Sequence, residues 1–406
     1  MRGTRLTKEV PPKKMREAPD ARGTDGCMLR YWTAGESHGK ALIALIDGFP
    51  AGLNVDLEPI NRRLQLRQGG YGRGKRQQLE TDTVEILTGT WQGQTLGSPI
   101  TLQVINHDYK LERLKDLERP RPGHGDLTGA IKYLGSMRGI LERASARETT
   151  VRVAAGALAA QMLAAFDIQV LGYVVELGGR AIPVPPGDLT AHRALRESSC
   201  IYALDPSRDD EFKQFIDETG DAGDTLGGIV EVRVEGLPFG LGTHAQWDRK
   251  LDGRLAQAVM AVQAIKGVEI GLGFQAARLP GSKVHDPIEF DAAQVSSPNL
   301  GYRRPSNNAG GLEAGMTNGQ PLVIRAAKKP ISTLRKPLES INLASKQPQS
   351  AQYERSDVCA VPAAAIIVEA VVAFEIAAAL IDKFGGDSLQ EMRARYDLFL
   401  DLARRV

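Results

Sequence analysis

Residues 62–76 carry six basic side chains, four glycines, one tyrosine and no acid. Glycines placed between arginines let backbone N–H groups and guanidinium forks converge on one anion. The same run also fits RNA binding, with Tyr71 stacking on a base, or a solvated basic face. It begins like a phosphate-binding P-loop, with Gly69, four residues and then Gly74-Lys75. Arg76 stands where such a loop needs a hydroxyl for Mg²⁺, and a helix-patterned segment comes before it instead of a strand, so a P-loop is excluded. No G-x-G-x-x-G opens a helix, so a Rossmann nucleotide site has no support.

Two histidines sit in glycine-bounded loops, His38 in GESHG and His124 in RPRPGHGD. An imidazole beside a bound anion is held in its charged form and serves as a general acid near neutral pH. Arg121, three residues before His124, would supply part of that anion site. Ser145, Arg147 and Glu148 put a hydroxyl, a guanidinium and free N–H groups at one helix start, an arrangement that binds phosphate or carboxylate. Arg355-Ser356-Asp357 repeats a charged pair before the apolar run near Pro362. The six histidines form no HExxH or other close ligand pair, so no metal site is expected.

The elements that must position these groups follow from periodicity. Short strands are expected at 29–33, 41–46, 84–87 and 100–105, and an amphipathic helix at 57–68. Ser145 and Glu148 have capping-box spacing, which predicts a helix over 146–166. Residues 180–222 read as a peripheral segment. Val230, Val232 and Val234 alternate with charged residues, as in a strand with one wet face. A helix at 251–265, a strand at 268–274, polar loops at 296–320 and a long helix from Pro362 complete the pattern. Strands and helices mix without strict βαβ alternation, which favours α+β.

The 406 residues hold 51 Lys+Arg against 49 Asp+Glu, a net charge of +2. That balance argues against a surface built wholly for nucleic acid. Cys27, Cys200 and Cys359 are too few and too far apart for a disulfide framework, which suits a reducing compartment and a cytoplasmic location. The longest apolar run, 358–368, is too short to span a bilayer and reads as a buried helix, so no membrane is expected. Residues 1–27 are basic, polar and rich in Pro and Gly, without the apolar core of a secretory signal. They are expected to be a disordered extension, with one catalytic domain over 28–406.

Taken together, eight segments resemble the chorismate synthase family, in its order, from about residue 28 to 400. They are GESHGKAL (35–42), RQGGYGRGKR (67–76), RPGHGD (121–126), SARETTVRVAAGA (145–157), IKGVEIG (265–271), SNNAGGLEAGMTNGQP (306–321), KKPISTL (328–334) and RSDVCAVPAA (355–364). The resemblance implies a homotetrameric lyase of the shikimate pathway, on the route to aromatic amino acids, each subunit a β-α-β sandwich. It implies conversion of 5-enolpyruvylshikimate 3-phosphate to chorismate and phosphate with reduced FMN and no net redox change. His38 resembles the histidine that protonates the reduced flavin, His124 the one that protonates the departing phosphate, and Asp357 the acid that manages the flavin N5 proton. Arg67, Arg73, Arg121, Ser145, Arg147 and Arg355 resemble the substrate-binding groups. Flavin contacts are implied for Ala144, Ser145, Ala146, Gln263, Ala264, Ala314, Lys329, Pro330, Ile331, Ser332, Thr333 and Arg355. No second nucleotide domain is visible, so reduced FMN is expected from outside, with NADPH docking on Arg67 and Arg73 as the alternative. The family usually has Gly-Gly where this chain has Ala314-Gly315, and commonly Ser at position 225, here Thr. A metal-free phosphate-ester hydrolase could use the same Arg and His groups, and would need no reduced flavin.

Overall fold

The structure, a computed structural model, describes residues 29–74, 81–354 and 356–406. The expected 1–27 extension, Lys75, Arg76 and Arg355 lie outside the described residues. In chain order the main elements begin with β1 (Arg30–Ala34), β2 (Ala41–Asp47), α1 (Leu57–Gln68), β3 (Glu85–Thr88) and β4 (Ile100–Ile105). Next come α2 (Asp126–Tyr133), α3 (Met137–Ala144), α4 (Thr149–Ala164), β5 (Gln169–Leu177), β6 (Arg180–Ala181), α5 (Leu189–Ser198) and α6 (Asp209–Asp221). The chain continues through β7 (Gly228–Glu235), α7 (Leu251–Met260), β8 (Ile265–Ile270), β9 (Leu322–Lys328), α8 (Val361–Phe384) and α9 (Leu389–Ala403).

One antiparallel sheet has the order β1-β2-β4-β3, the other β8-β9-β7-β5-β6. Helix α4 packs on β2 and β4 of the first sheet, α8 on β5 and β7 of the second, and the two helices pack on each other. The molecule is therefore an α+β protein with helices between two sheets. Period-two patterning makes this possible. Leu42, Ala44, Ile46, Leu102 and Val104 turn inward from one sheet, and Val230, Val232, Val234 and Ile324 from the other. Each of these Val, Leu and Ile side chains contributes roughly 1.5–3 kcal/mol on burial, and the Ala44 methyl about 0.8 kcal/mol. At the crossing, a Cβ on Gly156 would lie 2.2 Å from the Ala370 carbonyl oxygen, so only glycine lets α4 and α8 approach this closely.

Helix α8 is apolar around most of its circumference and long enough to cross a membrane by length and composition, yet 94% of its most apolar window is buried inside the fold. A helix with so wide an apolar surface belongs in a core. The buried helix expected near Pro362 is thus found, with the proline in its first turn.

Several expectations need correcting. The segment expected as a helix over 146–166 starts with a 3₁₀ turn, Ala146–Glu148, and becomes α-helical at Thr149. Ser145 Oγ accepts from the Arg147 N–H at 3.3 Å, but Glu148 does not reach back as a capping box requires. Its carboxylate instead takes hydrogen bonds from Thr33, Arg152 and Gln263. The reciprocal box occurs at Ser388 and Glu391, which start α9. Helix α7 stops at Met260 rather than 265, with Ala261 as its C-cap; after a turn in which Ala264 takes φ +69°, Ile265 joins the sheet, so β8 lies earlier than the expected 268–274. The strand over 228–235 is present, but its wet face is partly covered. Glu231 is buried, accepting from Tyr173 Oη at 2.5 Å and Arg325 Nε at 2.7 Å. The 180–222 segment is not merely peripheral, since it forms α5 and α6 and sends His192 and Arg196 into the interior.

Candidate active site

The described arginines of the 62–76 run do not form a free basic face. Arg62 meets Glu197, Arg63 meets Glu369, Arg67 meets Asp82 and Arg73 meets Asp357. Helix α1 explains part of this. Asp56 caps it by accepting from the Glu58 N–H, and Arg63 and Arg67, four residues apart, fall on one face. That face is turned toward the core, with Arg67 only 3% exposed.

Arg67 donates from Nε to Thr149 Oγ1 (3.0 Å) and from Nη2 to the Ala146 carbonyl (2.9 Å), and its Nη1 lies 3.7 Å from Asp82 Oδ2. Burial pulls this guanidinium below its ordinary value, and Asp82 pulls it back up. Asp82 also accepts from Arg147 Nη1 at 2.6 Å. Arg147 is further held by Asn106 Oδ1, at 2.9 Å from Nε and 2.8 Å from Nη2. Asn106 Nδ2 donates to the carbonyls of Glu36 and Gly39, tying this group to the turn that carries His38. Ser145 Oγ lies 3.3 Å from Ser37 Oγ in the same turn.

His38 rests on Glu142 of α3, with Nδ1 at 3.0 and 3.1 Å from the two carboxylate oxygens. His124 Nδ1 is 2.5 Å from Asp126 Oδ1, and Arg121 donates to both oxygens of the same carboxylate. Burial pushes the Asp126 carboxyl up, but the hydrogen bonds and charges of His124 and Arg121 hold it well below the usual range. Arg121 Nη1 also reaches Thr333 Oγ1 at 2.9 Å. The Thr333 carbonyl accepts from Ser356 Oγ, and next to it Asp357 takes Arg73 Nη1 at 2.5 Å and the Gly74 N–H at 2.7 Å. Lys329 Nζ donates to the Gly123 carbonyl, and its N–H to the Ala264 carbonyl at 2.9 Å. Lys328, beside Arg73 and Asp357, is pushed down by burial to about 8.

These contacts form two networks, one of His38, Arg67, Ser145 and Arg147 and one of Arg73, Arg121, His124 and Asp357; the two are neighbours, since the charges of Arg73 and Asp357 act on Arg67, and Gln263, Ala264 and 329–333 lie at their edge. Ala144, Ser145 and Ala146 close the end of α3 and start the next turn. Arg355 lies outside the described residues. Ala314 is not brought into either network. It forms, with Gly315, the turn of a hairpin pairing Leu312–Glu313 with Met316–Thr317, and the Gly315 carbonyl accepts from Leu251 at the start of α7. Gln263 follows the other end of that ten-residue helix, roughly 15 Å away along its axis. Sequence reasoning missed Asp82, Asn106 and Glu142, because an acid or amide whose partner is distant in sequence has no local signature. Among the described residues no group of His, Cys, Asp or Glu could hold a metal ion.

The family model described as chorismate synthase matches residues 29–381. The chain belongs to the chorismate synthase family. It is 55% identical over 394 residues to the chorismate synthase of Geobacter metallireducens, covering 93% of this chain and all of the relative. The chorismate synthase of Enterococcus faecalis is 49% identical over 391 residues, covering 91% of this chain and 99% of the relative. A crystal structure of chorismate synthase superposes with a TM-score of 0.77 at 41% identity, covering 93% of this chain and 99% of that one. Chorismate synthases are carbon–oxygen lyases, so the arginine and histidine networks described above lie in a lyase fold.

Proposed function

We propose that this chain eliminates phosphate from 5-enolpyruvylshikimate 3-phosphate by a 1,4-trans route, giving chorismate, with reduced FMN in the same pocket. The observation that carries this reading is the convergence of Arg67, Arg73, Arg121 and Arg147 from separate segments, together with two carboxylate-backed histidines. The substrate bears two carboxylates and a phosphate, about −3.5 to −4 in all if the phosphate carries ~−1.5 to −2. Taking such a charge out of water requires several fixed cations, which arginine supplies without a proton equilibrium near neutral pH.

The residues fit a flavin. Gln263 Oε1 is buried with no hydrogen-bond partner among the described residues, an acceptor open to a flavin N–H, while Arg67 Nη1 and Arg73 Nε, likewise without one, are left for the substrate. Residues 144–146, 263–264 and 329–333 would hold FMN, and Arg67 and Arg73 would face the substrate. Bound reduced FMN supplies an electron-rich ring that assists C–O cleavage without net redox change.

His124 does the acid work at the leaving group. With Nδ1 bound to Asp126, its Nε2 would hold the proton given to the departing phosphate oxygen. One C–O bond and one C–H bond break, a C=C bond forms, and phosphate leaves with the C–O electron pair. His38 holds a proton at Nε2 for the flavin side, and Asp357, fixed by Arg73 and the Gly74 N–H, keeps lone pairs for the other proton.

The proposed catalytic domain spans 28–406, in a cytoplasmic homotetramer fed with reduced FMN from outside. Exposed Phe274, Ile288 and Phe290 support a subunit interface. The test is anaerobic: protein, substrate and FMN are mixed with and without dithionite, and chorismate is followed by absorbance. Chorismate should form only with the reductant, and His124→Ala should lose about 10²–10⁴-fold in turnover with a smaller change in substrate affinity. Phosphate release without reductant would instead establish the hydrolase reading.

A further inference from the structure

Glu142 stands behind His38 as Asp126 stands behind His124, yet the family motifs quoted above do not include Glu142. It lies on α3, 1% exposed. One of its oxygens accepts from both the His38 backbone N–H (2.8 Å) and ring Nδ1 (3.0 Å), and the other lies 3.1 Å from Nδ1. The Ser37 N–H donates to the Glu142 carbonyl at 2.9 Å, docking the whole turn on this one residue. Burial pushes the Glu142 carboxyl up. Hydrogen bonds and charge from His38, with Arg138 at 3.6 Å, more than offset that and leave it below its ordinary value, hence ionised.

We infer that Glu142 is the positioning residue that sets the tautomer and orientation of His38. An ionised carboxylate can only accept, so the nitrogen facing it must carry the proton. In the neutral ring this leaves the lone pair on Nε2, and in the charged ring it makes Nε2–H the bond that can be broken without disturbing the clamp. The His124–Asp126 pair repeats the geometry on an unrelated segment. There too Nδ1 faces a buried carboxylate, and an arginine (Arg121, as Arg138 at Glu142) flanks it. Two histidines oriented alike by different helices argue that the shared Nδ1–H state is selected rather than incidental. The inference rests on the reading of His38 as a proton donor, but the tautomer itself does not.

The experiment is ¹⁵N magic-angle-spinning NMR of the ligand-free full chain labelled at histidine ring nitrogens, with His38→Asn used to assign the signal. At a pH where the ring is neutral, His38 should show a protonated Nδ1 and an unprotonated Nε2. Glu142→Ala should lose that preference and lower kcat by ~10–10²-fold, the usual size for orienting partners, with KM changed less than about threefold. Glu142→Gln should largely restore the tautomer. The His38 N–H fixes the amide oxygen at the position that also faces Nδ1, and this variant keeps the shape of the site if the alanine variant folds poorly. A parent protein with the proton on Nε2 would overturn the inference. So would an unchanged tautomer in a folded Glu142→Ala variant. A parent with the expected tautomer that makes no chorismate would remove the functional reading and leave the tautomer assignment standing.

Discussion

Replacing Asp82 with asparagine should weaken the ligand-free fold and strengthen anion binding at the same time. Asp82 is 3% exposed and lies between two buried guanidiniums, 2.6 Å from Arg147 Nη1 and 3.7 Å from Arg67 Nη1. Removing one partner of a buried ion pair costs about 3–5 kcal/mol, because the other charge is left in a poor solvent. The asparagine oxygen can still accept from Arg147, which keeps ~1 kcal/mol. The expected loss is therefore roughly 2–4 kcal/mol, or about 1 M in urea midpoint for a slope of ~3 kcal/mol/M. A bound anion, however, no longer competes with the carboxylate. Like charges about 4 Å apart repel by ~4 kcal/mol at an effective dielectric of 20, and recovering about a third of that is a tenfold gain in affinity. Urea unfolding by circular dichroism, with and without inorganic phosphate, and calorimetric titration of the substrate would measure both effects. Stability unchanged to within about 0.5 kcal/mol, or weaker anion binding, would show that Asp82 does not balance the arginines.

Two further outcomes follow from the same structure. Burial pushes the Glu369 carboxyl up, and the charges of Arg196, Arg63 and Arg193 overcome this and hold it below 4.5. A depressed carboxyl stabilises the fold above its unfolded value and loses that contribution as pH falls through the folded one. The parent's urea midpoint should drop below about pH 4.5, and Glu369→Gln should start lower at pH 7 and fall less steeply; parallel curves would refute this. Ala314 sits at φ +52° beside Gly315 at +81°, so Ala314→Gly should raise stability by up to about 1 kcal/mol by relieving a left-handed alanine, and a lower urea midpoint would count against it.

Much of the fold was legible because it is written in local periodicity. Strands β2 and β4, helix α1 and the start of α8 lie within a residue or so of expectation, since alternation and helical spacing report a buried face directly. The misreadings occur where a distant partner overrides local preference. Glu148 leaves its capping box for Thr33, Arg152 and Gln263, and helix α7 ends at Met260 short of the expected 265, as Ile265 pairs instead with Lys328 in β9.

The candidate site divides in the same way. The sequence by itself determined which side chains are candidates for the chemistry, the arginines and the two loop histidines from residue type and Asp357 from the family resemblance, because residue type fixes charge and proton capacity. Only the tertiary structure decided what those groups do while no anion is bound. Asp82, Asp357 and Glu142 come from segments far from most of their partners, and folding sets them against the cations and rings. A buried charge must find a counter-charge, and in a folded chain that partner is chosen by proximity in space, which linear spacing does not encode.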